Sequence, residues 1–190
     1  MKKYFTADWH LGDDRIGING KPNLFYRPFH SISEQNYAIM DGFFRSNFKD
    51  GDELWHLGDV LYNLGDHLLL SPLKARYPNS KFNLVVGNYD EDKIETLKPY
   101  FHRIVDCIEL NFGGNSVFLN HYPTKCKTVL EDGALDFAIT GHIHGLWKVQ
   151  PKMINVGVDA WHFKPVSETE ILFCWNAMQK FYDENVFPYS

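Results

Sequence analysis

Short apolar runs along this chain end abruptly in polar clusters. Residues 4–7 are apolar and stop at Asp8-Trp9-His10, which predicts a first strand feeding a loop. Runs at 53–57, 81–86, 116–120 and 136–140 behave alike. They end at Gly58-Asp59, at Gly87-Asn88-Tyr89-Asp90, at His121 and at Gly141-His142-Ile143-His144. Helical spacing fills much of the rest. Ser31 and Glu34 have capping-box spacing, and Ile32, Tyr37, Met40, Phe43, Phe44 and Phe48 then recur at helical intervals, predicting a helix over 32–48. Residues 66–77 read as helical with Pro72 as an internal irregularity, and 91–101 as a short helix. A second capping box, Ser167 to Glu170, opens a helix over 168–182. Two hairpins are predicted, 103–111 with 116–120 around Gly113-Gly114, and 148–150 with 153–158 around Pro151-Lys152. Residues 12–30 show no period and form a long loop, a length that in a compact domain often serves function.

Composition narrows the class. The 190 residues carry no repeat, low-complexity tract or linker-like stretch and read as a single domain, 1–190. At 44% hydrophobic and 23% charged the chain is an ordinary globular one. No apolar run is long enough to span a membrane. The polar start lacks the core of a signal peptide, and the three cysteines show no CxxC spacing, so a reducing, cytoplasmic location is expected. The net charge is -5 and the basic residues are scattered, so long nucleic acid is not expected as a partner. An anionic substrate held through metal ions is compatible with that charge. Nine histidines and 16% aromatic residues stand out.

The five polar clusters hold the candidate chemistry. Ligands of sheet-and-helix folds gather at one end of the strands, so clusters at five strand ends converge on one site. Asp8, His10, Asp59, Asn88, His121, His142 and His144 supply carboxylate, amide and imidazole donors, the set that hard and borderline divalent metals take. These are too many for one tetrahedral ion and suit two that share a bridge. Taken singly, Gly-Asp and Gly-Asn-x-Asp are common turn sequences. Gly-His-x-His is more informative, because two imidazoles after a strand are costly in a core without partners.

In this order, Asp-x-His, Gly-Asp, Gly-Asn-x-Asp, a lone His and Gly-His-x-His resemble the calcineurin-like metallophosphoesterases, in particular their small bacterial and phage-type members. Arg27-Pro28-Phe29, Asn155 to Asp159 and Lys164-Pro165-Val166-Ser167 are similar to theirs too, so nearly the whole chain is covered. The resemblance implies an α/β (α+β) fold, a four-layer α-β-β-α sandwich. It implies that Asp8, His10 and His144 hold one divalent ion, that Asn88, His121 and His142 hold a second, and that Asp59 bridges them. Manganese is the expected metal, with iron, zinc, nickel and cobalt as alternatives. A hydroxide between the ions would attack phosphorus while the metals neutralise the non-bridging oxygens. The implied activity is hydrolysis of phosphate esters, with small phosphorylated compounds or nucleotides as substrates. A nucleotide or nucleic-acid phosphodiesterase and a catalytically weak protein-binding scaffold are the alternatives.

The sequence departs from that family at Tyr89, where its members carry a histidine that protonates the leaving group. A phenol, with a reference pKa of ~10, is a poorer acid at neutral pH. Losing a general acid typically removes ~10²–10⁴-fold in rate, which disfavours alkyl monoesters and spares activated esters and diesters. Asn88, Tyr89 and Asp90 are thus the expected catalytic loop, with Asp90 either orienting Tyr89 or structural. Asp13, where relatives often have histidine, reads as a solvated loop carboxylate. His56 reads as a hydrogen-bonded neighbour of the site rather than a ligand, and His30, His67 and His102 as surface residues. His162 is a candidate substrate contact. Phe25, Tyr26 and Phe29 line a pocket or pack the long loop, and Lys125 and Lys127 sit on a solvated loop or meet a phosphate.

Overall fold

The computed structural model describes residues 1–13, 15 and 27–181. The predicted loop therefore lies largely outside the described residues, Phe25 and Tyr26 included, as does the end of the last predicted helix.

Five strands build a first sheet: β1 (Lys3–Thr6), β2 (Glu53–His56), β3 (Lys81–Val85), β4 (Arg103–Val105) and β10 (Val166–Ser167). Its order is β10-β1-β2-β3-β4, with β1 to β4 parallel and β10 antiparallel at the edge. The second sheet has the order β5-β6-β7-β9-β8, from β5 (Cys107–Phe112), β6 (Asn115–Asn120), β7 (Phe137–Thr140), β8 (Val149–Gln150) and β9 (Met153–Asn155). Here β6, β7 and β9 run parallel, and the hairpins β5–β6 and β8–β9 supply the antiparallel pairs. Five α-helices accompany them: α1 (Ile32–Phe44), α2 (Ser71–Arg76), α3 (Ile94–Leu97), α4 (Pro123–Glu131) and α5 (Glu168–Phe181).

Side-chain alternation explains the layers. On β2, Leu54 faces the helices while Trp55 and, just beyond the strand, Leu57 face the other sheet. Trp55, Phe5 and Val85 meet Val117, Leu119, Phe137, Ile139 and Ile154 in a dry inter-sheet core, into which α5 adds Ile171 and Trp175. The outer face of the first sheet packs on α1 through Ile39, Met40 and Phe43, and on α2 and α3 through Leu73 and Leu97. The outer face of the second packs on α4 through Cys126 and Leu130. The result is the four-layer α-β-β-α sandwich that the resemblance implied.

Several elements differ from expectation. Residues 103–111 are not one strand. The chain leaves the first sheet after Val105 and enters the second at Cys107, so β4 and β5 belong to opposite layers. The first helix ends at Phe44, although Phe48 remains buried against Phe43 and Tyr77. The 66–77 segment is a 3₁₀ helix (Leu64–Leu70) followed by α2, with Pro72 in the first turn of α2, where its missing N–H costs nothing. The 91–101 helix is a 3₁₀ turn (Glu91–Lys93) followed by the short α3. Helix α4 was not expected. It begins at Pro123, so Lys125 and Lys127 lie exposed on a helix rather than on a loop. The second capping box forms, with Ser167 and Glu170 bonding reciprocally; at the first, Glu34 N–H donates to Ser31 Oγ while the Glu34 carboxylate accepts from His30 N–H. No helix among the described residues is long and apolar enough to cross a membrane.

Candidate metal centre

Where β1, β2 and β3 end, the parallel pairing continues briefly into the loops. Asp8 N–H donates to Gly58 O at 3.0 Å and His10 N–H to Asp59 O at 2.9 Å. To present their side chains, the chains turn hard. Asp8, His10, Asp59, His142 and His144 all have left-handed backbones, with φ between 45° and 74°. A non-glycine residue in this region costs on the order of 1–3 kcal/mol and persists only when its surroundings enforce it.

Those surroundings are specific. Asp8 accepts the N–H of His142 on both oxygens at 3.0 Å, tying β1 to the loop after β7. Asp59 Oδ1 accepts the N–H of Tyr89 at 2.9 Å. Asp90, fully buried, accepts three backbone N–H groups: Asp59 at 2.8 Å, Gly87 at 2.9 Å and Val60 at 2.9 Å. Its carboxylate therefore braces two loops, the structural one of its two expected roles. Burial first, then the charge of Asp59, raises its pKa to about 6 against those three donors. Gly58 and Gly87 make the approach possible. A Cβ on Gly58 would lie 2.5 Å from His121 Nδ1 and 2.7 Å from Gly87 Cα, and one on Gly87 would lie 2.4 Å from Asp59 Oδ1.

The side chains collect in two groups. Asp8, His10 and His144 each bring one ligand atom within 4.8 Å of the others, and so do Asp59, His121 and His142. His142 and His144 join different groups because the chain leaves β7 at Thr140 and splays their rings. His144 stacks on His10, with centroids 5.0 Å apart, while His142 stands edge-on to His121 at 5.1 Å. Asp59 lies between the groups, with Oδ2 at 3.3 Å from His10 Nε2 and 3.4 Å from His121 Nε2. Asn88 is exposed on the loop beside Tyr89.

The donor set fits divalent cations. His10 is buried, yet among the described residues neither ring nitrogen has a hydrogen-bond partner, and its contact with Asp59 lacks hydrogen-bond alignment. A sealed imidazole without partners is costly, and beside the carboxylates of Asp8, Asp13 and Asp59 a cation would relieve that cost. Two neighbouring histidines have their second nitrogen fixed in the manner of metal-bound imidazoles, whereas His142 Nδ1 faces His121 Nε2 at 3.3 Å. His121 Nδ1 meets Leu57 O at 2.6 Å, and His144 Nδ1 meets Asp159 Oδ2 at 2.8 Å. Burial would raise the Asp59 pKa, but His10 and His121 override it and hold the carboxylate well below the usual range. Burial likewise would lower His121, but Asp59, Asp8 and the Leu57 carbonyl push it up to about 9.

One supporting pair carried no assigned role in the sequence. Arg27, 1% exposed, donates to Asp159 at 2.7 and 3.0 Å and to the carbonyls of Trp9 and Asp8 at 3.0 and 2.6 Å. It thereby holds the strained turn and the carboxylate behind His144 at once. Partial burial of Asp159 would raise its pKa, but Arg27 and His144 hold it well below the usual carboxylate range. The signal was the pair of motifs Arg27-Pro28 and Asn155-x-Gly157-x-Asp159, which pattern alone cannot connect. Asn155 is buried and donates to His144 O and Trp147 O at 2.6 and 2.7 Å, closing the histidine loop.

Other expectations change. Asp13 is not solvated. It is 1% exposed and takes a two-pronged contact from Arg15. Among the described residues His56 has no hydrogen-bond partner. It is sealed with both nitrogens unpartnered, edge-on to Trp9 at 4.7 Å, and burial lowers its pKa to about 3, so it is a neutral core ring. His162 lies toward the other end of β1, lining a surface cavity with Lys2, Tyr4 and Lys49, away from both ligand groups. Phe29 packs on Phe163. His30 and His102 are exposed, and His67 is half-buried against Leu64 O.

Two outcomes are expected. Asp159→Asn removes the charge shared by His144 and buried Arg27. Metal affinity at the Asp8-His10-His144 group should fall ~10–100-fold, with a stability loss of roughly 3 kcal/mol from stranding Arg27. Unchanged metal titration and melting would show that the pair does not support His144. The second concerns pH. The His121 pKa is raised, so its stabilising contribution in metal-free protein is complete below 6.5 and lost as pH rises through about 9. A cation must displace that proton. Affinity at the second group should therefore climb about tenfold per unit from pH 7 to 9 and then level, with proton release visible in calorimetry. A flat profile over that range would contradict a protonated His121.

A family model for the calcineurin-like phosphoesterase superfamily domain matches residues 28–167, which include Asp59, Asn88, His121, His142 and His144 and leave Asp8 and His10 just outside. No curated protein matches the chain. Among solved structures, a protein of unknown function from Aquifex aeolicus is 28% identical, with TM-score 0.72 over 91% of this chain and 98% of that one. A novel archaeal phosphodiesterase is 18% identical over 83% of this chain and 82% of its own, with TM-score 0.46. YfcE, a phosphoesterase from E. coli, is 16% identical over 83% and 78%, also at 0.46. With the matched stretch spanning most of its length, the chain belongs to the calcineurin-like phosphoesterase superfamily.

Proposed function

We propose that the protein hydrolyses phosphate esters with two divalent ions, favouring diesters and activated esters over alkyl monoesters. The observation that supports this most is the position of Asp59 Oδ2, within 3.4 Å of an imidazole nitrogen of each ligand group. Asp8, His10 and His144 would hold one ion, and His121, His142 and the amide oxygen of Asn88 the other, with Asp59 common to both. Two such ions, when bound, neutralise the phosphoryl oxygens and activate a water for attack in line with the leaving group. Manganese suits the mixed oxygen and nitrogen donors, as do iron, zinc, nickel and cobalt. The substrates proposed are small phosphorylated compounds, nucleotides among them, met in the cytoplasm.

The chain's own groups define the preference. Tyr89 stands edge-on to His10 with centroids 4.8 Å apart, on the flank of the first ligand group. Its phenol can donate a hydrogen bond but gives up its proton reluctantly near neutral pH. An aryl oxide leaves without a proton, whereas an alkoxide needs one.

Two measurements test the reading. Asp59→Asn should lower bound metal toward one ion or none and reduce turnover more than about a hundredfold. Two ions per chain with normal turnover would remove Asp59 from the bridge. Tyr89→His should raise turnover of alkyl substrates over aryl ones by at least roughly tenfold, with metal content unchanged. An aryl-to-alkyl ratio that stays put would mean that the proton comes from elsewhere.

A further inference from the structure

Arg15 links two positions that the metal groups do not use. Its Nε and Nη2 donate to the two oxygens of Asp13 at 3.1 and 3.0 Å. The backbone N–H of Arg15 donates to the same carboxylate at 2.9 Å. The guanidinium carbon lies 4.1 Å from the centre of the Tyr62 ring, and Nη2 reaches the Tyr89 hydroxyl at 2.7 Å. Asp13 is buried, so its position is fixed by packing, and the two-pronged contact fixes the plane of the guanidinium. The Tyr89 ring is set from the other side by His10 and Tyr62.

The hydrogen-bond inventory of these groups has a direction. A guanidinium only donates. The Tyr89 oxygen must therefore accept from Arg15, and its own hydrogen is turned elsewhere. We propose that Arg15 is a positioning residue: held by Asp13, it presents the Tyr89 hydroxyl as a hydrogen-bond donor to the phosphoryl or leaving-group oxygen of a substrate seated at the two ligand groups. The inference rests on the phosphoesterase reading. It involves no proton transfer, since the phenol keeps its hydrogen while sharing it. Because Asp13 matches the Arg15 charge at 3.0 Å, this wall offers a directed donor with little net charge. Such a wall suits a singly charged diester better than a doubly charged monoester.

A double-mutant cycle on metal-loaded protein tests this, with Arg15→Gln, Tyr89→Phe and the pair. Two readouts are used, affinity for inorganic phosphate by calorimetry and turnover of bis(p-nitrophenyl) phosphate. Arg15→Gln should weaken both roughly tenfold when Tyr89 is present and less than about twofold when Phe stands at 89. Metal content should be the same in all four proteins. Arg15→Lys, which can pair with Asp13 but cannot fork between two partners, should behave like Arg15→Gln. An equal loss in both backgrounds would show that Arg15 acts without the hydroxyl, through loop structure or direct contact, and would overturn the proposal. So would variants that match the parent. If the parent binds neither phosphate nor any ester, the phosphoesterase reading falls and this inference with it. Phosphate binding by the parent that the variants retain removes the inference alone.

Discussion

The contact between Gly58 and Gly87 governs the arrangement of the site. Two parallel strands end side by side, and Asp59, the side chain after the first glycine, must reach between the two ligand groups. There is no room for a Cβ at either glycine, because the imidazole of His121 and the carboxylate of Asp59 already occupy that space. Once the backbones touch, Asp59 turns left-handed, its side chain falls between His10 and His121, and its N–H is free to bond Asp90. Five left-handed residues at on the order of 1–3 kcal/mol each amount to a strain comparable with the net stability of an ordinary domain. The sandwich beneath can hold this strain because β1, β2, β3, β6 and β7 are locked by an inter-sheet core.

Electrostatics set a second constraint. Asp8, Asp13, Asp59 and Asp90 are buried near one another, in a chain that is acidic overall. Arg15 and Arg27 balance part of that charge from the periphery. Arg15 is claimed by Asp13 and Arg27 by Asp159, so neither neutralises Asp8 or Asp59 directly. Those two carboxylates face imidazoles instead, and His121 answers by holding a proton far more tightly than usual. A divalent cation at the second group would replace that proton, and one at the first would meet a ring nitrogen of His10. The same carboxylates that would destabilise a dry core thus become the source of cation affinity.

Much of this was legible in the sequence because strand ends leave a plain signature. An apolar run that stops at Asp, Asn or His in five places reads directly, whereas the period of a strand would set His142 and His144 on one face, so their splay marks a chain that has already left β7. The sandwich itself came from the resemblance rather than from periodicity. What stayed hidden needed three dimensions. Residues 103–111 alternate without a break, and nothing local says that Asp106 carries the chain from one sheet to the other. Asp13 looks like any loop carboxylate until Arg15 closes over it. His56 alternates correctly for an inward ring, but only packing against Trp9 shows that it has no hydrogen-bond partner. The Arg27–Asp159 pair joins residues more than a hundred positions apart, and α4 hid behind a proline that reads as a stop when it was a start.

The division of labour in the Gly87 to Asp90 loop explains how a site can change its chemistry without losing its metals. The loop is held by backbone and by Asp90. Gly87 N–H and the N–H groups of Asp59 and Val60 converge on that one carboxylate, while Tyr89 contributes to Asp59 only through its own N–H. A peptide N–H is the same whatever side chain follows it. The ring at 89 can therefore be exchanged without moving Asp59 or the ligand groups on either side, provided that its replacement fits between His10 and Tyr62. Position 90 has no such freedom, because three donors depend on both of its oxygens. Under the proposed hydrolysis, variation at 89 would act on the proton and hydrogen-bond chemistry offered to a substrate, while variation at 90 acts on whether the strand ends meet at all.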